Sequence, residues 1–165
     1  MENVINIAIE SLGMGEGLQC VPFLCTVRNN LCRGNINHPD CGYANGYVSV
    51  PKEHPWWGKK WHEVEELVNV HGQITYAAAW EQFPYPIINL SDVEIPKDSW
   101  VFGFDTLHDS DTLEKCNEVY CKAETFKLMK QLENVCYKKK NTVISEKRDS
   151  KRVSFAFNMI GMSYE

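Results

Sequence analysis

Between Gly103 and Thr112 the chain reads GFDTLHDSDT, which sets Asp105, His108, Asp109 and Asp111 within seven positions. Imidazole titrates near neutrality and a carboxylate beside it fixes its orientation, so such a group suits proton transfer. The same donors suit a divalent metal. A second histidine, His71, stands in VNVHGQITY. If the two segments are strands of one sheet, their ends bring His71, Asp105, His108 and Asp111 together. Three uses are then open. His71, Asp105 and His108 carry acid–base catalysis, or these three and Asp111 form a metal shell, or the group hydrogen-bonds a ligand that leaves unchanged. Each residue also has an ordinary structural use. Asp111 suits the N-cap of a following helix, Asp105 a turn after its strand, and His71 a hydrogen-bonded place within a sheet.

Aromatic residues supply a second signal. Trp56, Trp57 and Trp61 crowd beside His54, Lys59, Lys60 and His62 in PKEHPWWGKKWHE, where Pro51, Pro55 and Gly58 forbid a long helix. A rigid loop of this kind suits stacking on a nucleotide base, although tryptophans also pin such loops to a sheet. Arg28, Arg33, Lys59 and Lys60 are the candidates for phosphate contact. A helix start at Asp111 would offer free N–H groups to an anion, while the neighbouring acids oppose one. Gly-rich phosphate loops, H-E-x-x-H and G-x-S-x-G elements are missing. His108-Asp109-Ser110 has the His-x-Ser form of two-histidine phosphoesterases, but His71-Gly72-Gln73 lacks the matching hydroxyl.

The elements that must position these groups are partly legible. Gln19–Val27 reads as a strand in which Pro22 suggests an edge or a bulge. Residues 28–45 read as a long loop. Tyr43–Val50 approaches a second strand, with Tyr47 and Ser49 on one face and Val48 and Val50 on the other. Val68–Trp80 reads as a strand kinked at Gly72, with the AAAW end open to a helical turn. Trp100–Phe104 (WVFGF) is apolar on both faces and is expected near the middle of the sheet. Asp111-Thr112-Leu113-Glu114 has capping-box spacing. From there Cys116, Val119, Tyr120, Ala123, Phe126, Met129, Leu132 and Val135 recur every three or four residues, which predicts an amphipathic helix of about six turns. KRVSFAFNMIG reads as a last strand. The order predicts an α+β fold: a mainly antiparallel sheet packed against one long helix in the C-terminal half.

Length and composition bound the rest. The 165 residues suit a single domain over 1–165, and 44% hydrophobic residues suffice for a core. A net charge of −5 argues against general nucleic-acid binding. The basic residues between Lys138 and Arg152 read as a solvated polar loop. With no basic leader and no apolar run of membrane length, a cytoplasmic protein without a membrane partner is expected. The seven cysteines form no C-x-x-C pair and are expected to be reduced; Cys32, His38 and Cys41 fit no common zinc spacing. No cofactor is expected.

In order, NGYVSVPKEHPWWGKKW, VNVHGQITY, WVFGFDTLHDSDT and AETFKLMKQL resemble a family of small uncharacterised proteins of bacteriophages and bacterial genomes. Its blocks are GYVx(I/V)P, HPx(Y/W)G, VHGGLTY and GFDCxHxGD. The resemblance covers residues 46–133 and leaves 1–45 outside. It falls on Gly46, Tyr47, Pro51, His54, Pro55, Gly58, His71, Gly72, Thr75, Tyr76, Gly103, Phe104, Asp105, His108 and Asp111, and adds Thr75 to the candidate ligand contacts His71, Asp105, His108, Trp56, Trp57 and Lys59. The chain departs at Gln73 and Ser110, where the blocks have glycine, and at Thr106, where they have cysteine. The resemblance implies a phage setting in the host bacterial cytosol. The expectation is a counter-defence protein that binds and sequesters a small nucleotide-like, phosphorylated host immune signal; self-association is left open. The alternative is a His/Asp-dependent hydrolase of a phosphoester or cyclic nucleotide, with or without a metal.

Overall fold

The computed structural model describes residues 19–26 and 41–136. Arg28, Arg33, the Cys32/His38/Cys41 group as a whole, most of the 28–45 loop, the basic 138–152 stretch and the expected last strand lie outside them. Strands β1 (Val21–Thr26), β2 (Ala44–Val50), β3 (Tyr76–Ala79), β4 (Ile88–Asn89) and β5 (Trp100–Phe104) form one sheet in the order β3-β5-β2-β1-β4. Every pairing is antiparallel. A helix, α1, spans residues 118–136. The α+β class and the long helix are therefore as expected from sequence. Among the described residues no helix is long and apolar enough to cross a membrane.

Both faces of the sheet are covered, which explains why β2 is buried along its whole length. On one face Val48, Val50, Phe102 and Phe104 meet Leu128 and Leu132 of α1, together with Val64, Val68, Val70 and Ile74. On the other, Val21, Phe23, Tyr47 and Val101 meet Tyr76, Trp80, Phe83 and Ile95. Burying an apolar side chain of this size contributes about 1.5–3 kcal/mol. Gly46 lets α1 approach: a Cβ there would strike Thr125 Oγ1 and the Phe104 ring.

Several sequence expectations need correction. β1 is not an edge strand; it lies between β2 and β4. The Pro22 carbonyl accepts from Leu90 N, so its missing N–H also faces β4, whose ladder covers only Phe23 and Leu24. The strand expected over Val68–Trp80 is only Tyr76–Ala79, followed by a 3₁₀ turn at Trp80–Gln82. Two successive left-handed residues, Gly72 (φ 59) and Gln73 (φ 73), turn the chain there, and an extended ladder cannot pass through them. His71 thus sits in a turn, not in a strand.

The helix also starts later than expected. Asn117 caps it, its Oδ1 accepting from Tyr120 N at 3.0 Å. Thr112 to Cys116 make a single turn that does not continue. The buried face is Cys121, Thr125, Leu128, Leu132 and Cys136, whereas Val119 of the expected stripe is 78% exposed. Small and polar residues carry much of the true face, so a pattern of large apolar residues pointed to its flank.

Candidate functional site

The loop after β5, the His71–Gly72 turn and the turn that precedes α1 converge on one carboxylate. Asp111 Oδ2 lies 2.9 Å from His71 Nε2, 3.1 Å from His108 Nδ1 and 3.0 Å from the His108 backbone N. Its other oxygen accepts from the Cys116 thiol at 3.6 Å. A carboxylate only accepts, so both imidazoles donate to it. Burial pushes the Asp111 carboxyl upward, but the bonds from His71 and from the backbone and ring of His108 outweigh that and hold it below the usual carboxylate range. Asp111 is therefore the ionised hub of the corner and not a helix cap, because α1 begins only at 118 and is capped by Asn117.

His71 is fixed from three sides. Its Nδ1 lies 3.0 Å from the Tyr120 hydroxyl, its backbone N donates to Glu124 Oε2 at 2.9 Å, and its ring packs edge-on to Tyr120. With Nε2–H directed at Asp111, His71 Nδ1 accepts a hydrogen bond from the Tyr120 O–H. His108 is more open, its side chain 40% exposed. Its ring lies over Gly72, where any Cβ would collide with it. Since Nδ1–H points at Asp111, the lone pair of neutral His108 is on Nε2.

Asp105 stands farther off, its Oδ1 at 3.8 Å from His108 Nδ1 while accepting from Leu107 N at 3.1 Å. It thus does the turn work expected of it and adds a second negative charge behind His108. Thr75 is exposed and continues the pairing of β3, its N donating to Gly103 O at 2.9 Å. Thr106 N donates to Asn45 Oδ1 and Tyr43 N to Cys116 O, so the 105–116 loop is tied to the start of β2.

The tryptophan loop lies elsewhere. Trp100 Nε1, at the start of β5, donates to Lys59 O, whereas Asp105 follows the end of the same strand. Five residues of strand separate the two ends by roughly 15 Å. Trp56 packs on Phe102, Trp57 Nε1 donates to Asp98 O, and buried His54 takes Trp56 N on Nδ1 and gives Nε2–H to Leu132 O. Trp56, Trp57 and Lys59 are therefore not brought to His71, Asp105 and His108; they fasten the loop to β5 and the residues just before it, and His54 fastens it to α1.

Comparison with protein-family models, curated proteins and solved structures finds no match. The chemistry has to be read from the corner itself. Sequence reasoning missed three of its members: Cys116, Tyr120 and Glu124. Their spacing of four was the available signal, although Cys116 lies in the turn before α1; Cys116 and Tyr120 read as core and Glu124 as solvated. The two non-glycine residues with left-handed backbone among the described residues, Gln73 (φ 73) and Ser110 (φ 74), flank the corner. Glycine is the residue that takes this conformation without strain.

Proposed function

We propose that this corner is a hydrolytic site acting on a phosphoester of a small nucleotide-like molecule, with His108 Nε2 accepting a proton from the attacking water. The observation that carries the reading is the shared carboxylate: Asp111 Oδ2 orients both imidazoles, at 2.9 and 3.1 Å, and leaves the more exposed ring open at Nε2. An imidazole held this way is a general base poised for water.

Two nucleophiles of the corner, Cys116 and Tyr120, are poorly suited to the first attack. Burial, reinforced by Asp111, pushes the Cys116 thiol up to about 11. Burial and the negative charge of Glu124 likewise raise the Tyr120 phenol. In this reading water takes that role, with His108 Nε2 as its base. The nucleotide-like class of the substrate and the counter-defence setting rest on the resemblance alone.

Sequestration has less support than hydrolysis. The stacking loop stands at the other end of β5, and the helix N-terminus is capped by Asn117. The test is to incubate the chain with a panel of cyclic nucleotides, heat-denature it and identify what is released by mass spectrometry. Converted product is expected. Retained, intact ligand would replace hydrolysis with sequestration, and neither retention nor conversion would point to a protein target.

A further inference from the structure

We infer that His71 Nε2, Asp111 and Cys116 Sγ form a zinc site with an open fourth position. The inference deepens the hydrolytic reading by naming the metal, but it stands on the donor set and is tested without substrate.

One nitrogen, one carboxylate oxygen and one sulfur lie within 4.8 Å of one another, and the three residues are half-buried, buried and buried. Two of the contacts are tighter still, 2.9 Å from His71 Nε2 to Asp111 Oδ2 and 3.6 Å from Cys116 Sγ to Asp111 Oδ1. A mixed imidazole, carboxylate and thiolate set suits zinc, and three protein ligands with a free position is the arrangement that leaves room for a water. The metal shell read from sequence, His71, Asp105, His108 and Asp111, shares two of these ligands. Asp105 is replaced by Cys116, because the Asp105 carboxylate turns back to Leu107 N.

The surroundings of His71 fit the assignment. A zinc-bound imidazole has its other ring N–H held by an acceptor. Here the Tyr120 hydroxyl lies 3.0 Å from Nδ1 and can accept as well as donate. On binding, the Cys116 S–H bond gives way to a Zn–S bond and its proton passes to buffer. The His71 ring proton moves from Nε2 to Nδ1, and Tyr120 O–H turns from donor to acceptor. One proton is released for each ion bound. The cation also answers the electrostatics of the corner, where Asp105, Asp111 and Glu124 would otherwise repel a phosphate.

The test uses the full reduced chain, freed of metal, titrated with Zn²⁺ against a chromogenic chelator and with Co²⁺ in the spectrophotometer. The expected result is one equivalent of Zn²⁺ per chain, and a Co²⁺ complex with tetrahedral visible bands and a near-ultraviolet thiolate band. Cys116→Ser should abolish the thiolate band and weaken Zn²⁺ binding by more than about 100-fold, and Tyr120→Phe by roughly 10-fold or more. Cys121→Ser, in the same buried cluster as Cys116 but outside the donor set, should leave both unchanged. Absence of stoichiometric binding, or a Co²⁺ spectrum that survives Cys116→Ser, overturns the assignment. Zinc bound without turnover would keep this site and remove the hydrolase; turnover without zinc would do the reverse.

Discussion

Asp111 Oδ2 receives His71 from one loop and His108 from another, so a single oxygen joins segments 40 residues apart in the chain. Asp111→Asn keeps the shape and removes the charge that both rings address. Charged hydrogen bonds of this kind are worth about 1.5–3 kcal/mol, so a loss of about 2 kcal/mol is expected in chemical denaturation. Hydrolysis should fall by at least ~100-fold. Unchanged stability would show that the hub does not hold the two loops.

His108 and His71 should separate function from folding. His108→Ala removes a side chain that is 40% exposed and only one of the two ring bonds to Asp111, so it should cost less stability than Asp111→Asn while lowering turnover by ~100-fold or more. His71→Ala breaks bonds to both Asp111 and Tyr120 and should cost clearly more stability. If His108→Ala fails to fold, its role is structural.

Gln73→Gly and Ser110→Gly should each stabilise the chain. A side chain at positive φ costs about 1–2 kcal/mol, partly offset by the added freedom of glycine when unfolded, which leaves a gain of about 1 kcal/mol. Thermal melts of the single and double variants check it. A loss at both positions would show that these side chains make compensating contacts.

Glu133, half-buried on α1, gives a pH-dependent outcome. Burial raises its carboxyl, with Lys130 pulling the other way. A raised carboxyl contributes stability that is fully present below the unfolded value and is lost as pH rises through the folded one. Glu133→Gln should therefore be more stable than the parent chain at pH 7, and the gap should close below roughly pH 4. A gap that stays constant across melts at both pH values would sink the assignment.

The sheet-and-helix class was readable because WVFGF and the helical repeat are strong local signals. The site was readable only in part. His71 looked extended because its turn is made by Gln73 in a conformation that glycine normally announces. Asp111 looked like a cap because Asp before a helical repeat is one of the commonest caps, and the partners that claim it are distant in sequence. The buried face of α1 was displaced because Thr125 and two cysteines, Cys121 and Cys136, pack where leucines were sought.

The contacts that fix His71 span 40, 49 and 53 residues, to Asp111, Tyr120 and Glu124. The sheet's own pairings span as much or more, 50 residues for Val50–Trp100 and 66 for Phe23–Asn89, so the corner closes together with the sheet, whereas the bonds of α1 are local. A partially unfolded chain would keep its helical circular dichroism while the tyrosine and histidine resonances of the corner had already moved. Those resonances are the sensitive gauge of whether the molecule has finished folding.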